Sequence, residues 1–427
     1  MKAYSYQPIF QKTTLSNGVL VVTESHPFTR AVASGVFVEI GTRDENIKKA
    51  GLTHFLEHLV FKGTRKRSSY ELAKALEAVG GDLNAYTSRE YTCFHATSLK
   101  EHMALGLDVV MDLVTNANLG LDDFKTEREV IIQEIHMSKD GLEEYILDEY
   151  LEKVFAGHAL ATPILGTEKT LAGLKRADVF KHYEANFRGP RMIVSVSGPV
   201  EHDQVCEMVE KGLGKAKRTA GALKRRAPRL KKVQEFIHRP SEQVHLLVGQ
   251  PSCSYKSKHR FESYVVNDLM GGGVTSRLYQ RIREDKGLVY SVYSYLQSFV
   301  DTGLFLTYAG TEAKNAQPVL KAMKSEFEKF VNGGIKRSDL AMFKTQVKGQ
   351  ILLGAEDMEN RMNSLGINEM VFGEYRPVDL VISEIDKVSI KSVNEYVSKY
   401  FDLDETSVMV MGDLEPDEAL KLLDVWG

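Results

Sequence analysis

The sequence predicts an α+β protein made of two structurally similar α/β-roll domains that arose by tandem duplication. Strand-like and helix-like patterns follow one another in the same order twice along 427 residues. A shift of 216 residues brings the helix start at Asp123 onto Asp339 and sets MIVSVSG beside SVMVMGD. A basic stretch with no apolar period separates the two runs. The length suits two domains, each able to bury a core.

In the first run, TTLSNGVLVV reads as a strand, a turn at Asn17 and Gly18, and a β-branched strand over 19–22. Residues 32–41, rich in Val, Phe and Ile, read as a strand covered on both faces. Helical patterns follow at 51–62, 69–79 and 100–115, then a long one from about 121 to beyond 150, with Asp122 and Asp123 as N-cap candidates. MIVSVSGPV closes the run as a strand. The expected division is 1–214 for the first domain, 215–232 (KAKRTAGALKRRAPRLKK) for a linker and 233–427 for the second domain. A solvated helix is the alternative for the linker. Beyond it, VHLLVGQ reads as a strand, 262–270 as a helix, 290–296 and 303–309 as strands, 312–331 and 338–356 as helices, and SVMVMGDL as the last strand.

Fifty-five Lys and Arg against 58 Asp and Glu give a net charge of −3, with no bias toward nucleic acid or anionic membrane. Cys93, Cys206 and Cys253 are odd in number and scattered, so neither a disulfide framework nor a thiolate metal site is expected. No run approaches the roughly 20 apolar residues of a membrane span, and the N-terminus lacks an apolar signal core. A cytoplasmic protein is expected.

The chemistry concentrates in GLTHFLEHLVFKGT. His54 and His58, four apart on a helix, project from one face and can meet one ion. Glu57 lies near that ion without having to bind it, where a general base for a metal-bound water belongs. A zinc hydrolase needs a third protein ligand and an open position, and Glu134, in the helical EREVIIQE, is the candidate. Glu127, two turns earlier on the same face, is placed to orient a ligand. Two imidazoles and a carboxylate in an otherwise apolar helix are costly to bury without an ion, which weighs against a purely structural role.

These features resemble the pitrilysin-like, or inverzincin, metallopeptidases, most closely their mitochondrial-processing-peptidase-like branch. The resemblance covers nearly the whole chain and rests on HFLEH at 54–58, FKGT at 61–64, GGDLNAYTSREYT at 80–92, EREVIIQE at 127–134 and GLVYSV at 287–292. It implies a zinc endopeptidase with one Zn2+ per chain, held by His54, His58 and Glu134, and Glu57 as the residue that activates water. It also implies two domains that enclose a cleft or chamber open to short or unfolded peptides. Arg283 and Tyr290 match a pair the family supplies from its C-terminal half to the substrate carbonyl. Asn84, Ala85 and Tyr86 match a strand that pairs with extended peptide, the alternative being an ordinary edge strand. Phe61 matches the pocket after the scissile bond. Glu144 and Asp148, expected on the helix continuing from Glu134, match carboxylates that hold an upstream arginine, the alternative being a solvated acidic face.

Under the 216-residue shift, the HFLEH segment GLTHFLEHLVFKGT meets NDLMGGGVTSRLYQ at 267–280, with no His or Glu, and Glu134 meets Gln350. The second domain is therefore expected to lack a metal site. Gly271, Gly272 and Gly273 are not followed by Lys-Ser or Lys-Thr, so they form no phosphate loop and are expected to give a flexible turn near the substrate entrance. In the two-subunit relatives of the family the metal motif and the glycine run lie on different chains; their presence on one chain here implies, through the resemblance, a self-sufficient enzyme and a homodimer. Two rivals remain: a noncatalytic structural or substrate-presenting subunit, which predicts damaged metal motifs, and a metal-binding scaffold without turnover.

Overall fold

The computed structural model describes residues 8–426, which form two β-sheets and the helices packed on them. Among the described residues no helix is long and apolar enough to cross a membrane.

The first sheet has strands β1 (Ile9–Thr14), β2 (Leu20–Ser25), β3 (Ala31–Val38), β4 (Asp82–Thr87), β5 (Thr92–Leu99) and β6 (Met192–Gly198), in the order β1-β2-β6-β3-β5-β4. β1 and β2 pair antiparallel across the expected Asn17-Gly18 turn. Gly18 has φ +90°, and a Cβ there would lie 2.9 Å from Pro190 Cγ, so only glycine fits. β2 runs parallel to β6, β3 lies antiparallel between β6 and β5, and β4 ends the sheet as an edge.

The second sheet has β7 (Gln234–His238), β8 (Val244–Ser252), β9 (Ser291–Ser298), β10 (Gly303–Thr311) and β11 (Ser407–Gly412), in the order β7-β11-β8-β10-β9. Its pairings repeat those of the first: β7 runs parallel to β11, β8 lies antiparallel between β11 and β10, and β9 is an edge. The first sheet differs by its additional strand β1. This repetition is the fold-level counterpart of the duplication.

Five helices either carry the site residues or cover the sheets: α1 (Leu52–Val60), α2 (Leu121–Asp140), α3 (Leu142–Val154), α4 (Arg260–Gly271) and α5 (Met358–Phe372). The long helix expected from 121 to beyond 150 is two helices, interrupted at Gly141, whose ψ of 76° is not helical. Asp122 and Asp123 lie in the first turn of α2 and do not cap it; Phe124 N–H bonds Gly120 C=O, which places the cap before them. Gly271 and Gly272 are not a loose turn. Gly271 is the last residue of α4, a Cβ there would run into Ser294, and one at Gly272 would run into Asp268; only Gly273 has open space around it.

The compact units are not the continuous halves expected. One comprises residues up to His136, Thr162–Arg225 and Leu353–Arg376; the other comprises Met137–Ala161, Arg226–Leu352 and the chain from Pro377 onward. The chain changes unit between Arg225 and Arg226, inside the basic stretch, which carries no helix over 217–233. Arg225 holds that stretch with a two-pronged ion pair to Asp44 (2.9 and 2.6 Å).

Each half of the chain also gives a helix to the other half's sheet. In the second unit, α3 buries Ile146, Tyr150, Leu151 and Val154 against Leu247, Leu306, Met409 and Met411. In the first, α5 packs on β2, β3 and β6. Its contact is close because Gly366 sits against the Phe37 ring and Gly35 against Met362, where added Cβ atoms would collide. Arg361 on α5 reaches the fully buried Glu24 with both Nε (2.8 Å) and Nη2 (2.5 Å), and His26 Nε2 lies 2.7 Å from the same carboxylate. Burial pushes Glu24 up, but the hydrogen bonds from His26 and Arg361 outweigh it and hold the pKa down at about 2.

Candidate active site

Helix α1 buries Phe55, Leu56, Leu59 and Val60 completely, which fixes its rotation and turns His54, Glu57 and His58 toward α2 and β4. Its N-cap is Gly51, at φ 87° and without a side chain to cap it. The free N–H groups of Gly51 and Thr53 donate instead to the Glu45 carboxylate, at 2.9 and 2.5 Å. Burial pushes Glu45 up to about 7, against the bonds from Thr53 and Gly51 that favour its charged form.

Helix α2 buries Phe124, Glu127, Ile131 and Ile135, a spacing of three and four that leaves Glu134 beside the imidazoles. His54, His58 and Glu134 offer ligand atoms that all lie within 4.8 Å of one another. Nε2 of His54 is 3.8 Å from Glu134 Oε1, and Nε2 of His58 is 3.5 Å from Glu134 Oε2. These separations are long for hydrogen bonds. Two atoms about 2.0–2.1 Å from a zinc ion at the tetrahedral angle are about 3.3–3.4 Å apart, close to what is seen. His54 Nδ1 and Glu134 Oε2 are buried without a hydrogen-bond partner. Two imidazoles and one carboxylate, incompletely satisfied by the protein, suit zinc.

The electrostatics agree. Burial, and then the neighbouring His58, lower the His54 pKa to about 4, so this ring is neutral at pH 7, as a metal ligand must be. Burial also pulls His58 down, but the carboxylates of Glu134 and Glu127 outweigh it and leave the pKa raised. His58 in turn lowers Glu134. Burial raises Glu57, opposed by a hydrogen bond from Thr87.

Around this group, Glu127 is buried, with Oε2 3.1 Å from His58 Nδ1 and Oε1 2.7 Å from Lys62 Nζ. Thr87, the last residue of β4, donates its hydroxyl to Glu57 Oε2. Asn84, Ala85 and Tyr86 precede it on that edge strand; Asn84 is exposed, its Oδ1 accepts from Ala85 N–H, and Tyr86 donates to Asn363 Oδ1 at 2.8 Å. Phe61 follows the last turn of α1 and is half-buried against the core.

Four predicted residues lie in the second unit. Glu144 is exposed and Asp148 half-buried on α3, a helix separate from that of Glu134. Arg283 belongs to a π-helical turn and lies over the Tyr279 ring at 5.0 Å. Tyr290 is exposed and donates to Glu312 Oε1 at 3.2 Å. Sequence reading did not find Thr87, Lys62 or Glu45. Lys62 had a signal, being one turn beyond His58. So did Glu45, since a helix opening on glycine needs an acceptor from elsewhere. Thr87 had none, because its partner is set by strand pairing.

Residues 20–168 match the family described as Insulinase (Peptidase family M16), and residues 173–347 match the Peptidase M16 inactive domain. The chain is 34% identical to an uncharacterized zinc protease of Streptomyces coelicolor, over 97% of this chain and 92% of that protein. It is 33% identical to an uncharacterized zinc protease of Bacillus subtilis, over 94% of this chain and 98% of that one. The fold is also that of a protease from Helicobacter pylori, with a TM-score of 0.87 at 21% identity over 95% of this chain and 99% of the other.

Proposed function

Because the chain belongs to the M16 peptidase family, we propose that it is a zinc-dependent endopeptidase that cuts short or unfolded peptides, with one zinc ion per chain held by His54, His58 and Glu134. The observation that carries this reading is the convergence of those three side chains beside a second, buried carboxylate, Glu57. Zinc in such a set lowers the pKa of water to about 7 and polarises the scissile carbonyl.

Glu57 takes the proton of the attacking water and returns it to the leaving amine. Burial moves this carboxyl toward the working pH, where both transfers are efficient. Thr87 fixes one of its oxygens. With zinc bound, Glu127 would accept from His58 Nδ1–H and leave Nε2 free to hold the ion, and Lys62 pairs with Glu127 to keep it in place.

The free edge of β4 offers main-chain groups to an extended peptide, with Asn84, Ala85 and Tyr86 along it and Phe61 favouring an apolar residue after the cut. Arg283 and Tyr290 enter through the family resemblance, as donors to the substrate carbonyl and the oxyanion. Glu144 and Asp148 enter in the same way, as a carboxylate pair for an upstream arginine. A cytoplasmic homodimer completes the reading.

The test is Glu57→Gln. It is expected to keep zinc, measured by metal analysis, and to lose cleavage of a fluorogenic peptide; His58→Ala is expected to lose both. Cleavage by pure, zinc-loaded Glu57→Gln protein would overturn the assignment.

A further inference from the structure

The second unit keeps a cavity at the place in its fold that corresponds to the metal-ligand cluster of the first. Helix α4 packs on the edge strand β9 as α1 packs on the edge strand β4. The helix Arg337–Gly354 carries Gln350 where the duplication sets Glu134. Between these elements lies a cavity of about 290 Å³, lined among others by Asp268, Gln350, Tyr264, Tyr295, Val347 and Ile351. That is near the lower end of small-molecule pockets.

Asp268 is the unusual member. Its residue is 7% exposed, and Oδ2 has no hydrogen-bond partner. The missing Cβ of Gly272 leaves room for Oδ1. Burial pushes the carboxyl up to about 6, while a hydrogen bond from Gln350 favours its charged form. A buried carboxylate with a free oxygen calls for a charged donor. A divalent metal does not answer that call, because the one cluster of metal-binding side chains among the described residues is His54, His58 and Glu134. Besides Asp268, Gln350 and Asn267, the walls are two tyrosine rings and three aliphatic side chains, Leu296, Val347 and Ile351, which favour a cation on an apolar stem.

We propose that this cavity binds a small organic ammonium ion, with Asp268 as its counter-ion and Tyr264, Tyr295, Val347 and Ile351 around its stem. The site is independent of the zinc reading, since it uses none of the metal-binding residues.

The test is calorimetric titration of the full chain with hexylammonium, and with 1-hexanol as the uncharged control. Saturable binding of one hexylammonium per chain is expected, unchanged after chelator treatment and absent for hexanol. Asp268→Asn should weaken it roughly tenfold or more, the loss of a charge-assisted hydrogen bond. Val347→Phe, which fills the cavity, should abolish it and gives the answer if Asp268→Asn fails to fold. A lysine side chain carries the same chemistry. A second arm therefore uses a blocked pentapeptide with one central lysine, and Asp268-dependent binding in either arm supports the site while identifying its source. No binding in both arms, binding indifferent to both substitutions, or binding lost on chelation overturns the proposal.

Discussion

Thr87 Oγ1 lies 2.5 Å from Glu57 Oε2, a hydrogen bond that joins the end of the edge strand to the carboxylate beside the metal-ligand cluster. A peptide added to β4 would thus run along the strand that also fixes the proposed base. Thr87→Val keeps the shape and removes the donor. The expected result is a kcat lowered roughly tenfold, part of the general-base contribution, with KM and zinc content little changed. Steady-state kinetics on a fluorogenic peptide with parallel metal analysis decide it, and an unaltered kcat would remove Thr87 from the machinery.

Glu127 is not among the three candidate ligands, but it contacts one of them, His58. Glu127→Gln weakens the acceptor for His58 Nδ1–H and strands the Lys62 charge. Zinc affinity is expected to fall about 10- to 100-fold. Competition against a chromogenic chelator measures this. Equal affinities would mean that His58 is oriented by packing alone.

The Glu24–Arg361 pair sets a pH dependence of stability. Glu24 sits at about 2 in the folded protein, below the value of about 4.3 for a free glutamate. A depressed carboxylate stabilises the fold above the unfolded pKa and loses that contribution as pH falls through the folded one. Melting temperature is therefore expected to be insensitive to this pair above about pH 5 and to drop between about pH 4 and 2. Arg361→Met should cost about 3–5 kcal/mol at pH 7, because Glu24 is left buried with its main partner gone. Thermal melts of both proteins from pH 2 to 7 test the two statements.

Gly366 is a packing residue. Gly366→Ala drives a methyl into the Phe37 ring. The expected cost is about 1–3 kcal/mol in denaturant titration, recovered in part by Phe37→Leu in the same chain. A neutral Gly366→Ala would show that α5 can shift outward freely.

The local patterns read well from sequence where a segment faces one environment. The β1–β2 hairpin announces itself through Asn17-Gly18, and α1 through an apolar face interrupted only at His54, Glu57 and His58. The shared direction of His54 and His58 was legible for the same reason, since four-residue spacing on a helix fixes direction, whereas Glu134 comes from a separate helix that such spacing does not reach. Helix α5 escaped notice because its buried face includes Arg361, Asn368 and Glu369, which break the apolar stripe that periodicity seeks. The break at Gly141 escaped because glycine is tolerated in helices, and nothing local shows that the chain has just passed, between His136 and Met137, into another compact unit. Thr87 meets Glu57 only through tertiary packing, which spacing along a chain does not encode.

The traded helices make each half of the chain depend on the other for a finished core. A polypeptide cut in the basic stretch would leave its leading fragment without the helix that covers Phe37 and Ala33, and burdened with Tyr150 and Leu151, whose greasy surface has no sheet to rest on. The trailing fragment would suffer the mirror-image deficit. A truncation ending near Gln350 would spare His54, His58 and Glu134 and still uncover the back of the first sheet, because the helix that covers it, Met358–Phe372, lies beyond the cut.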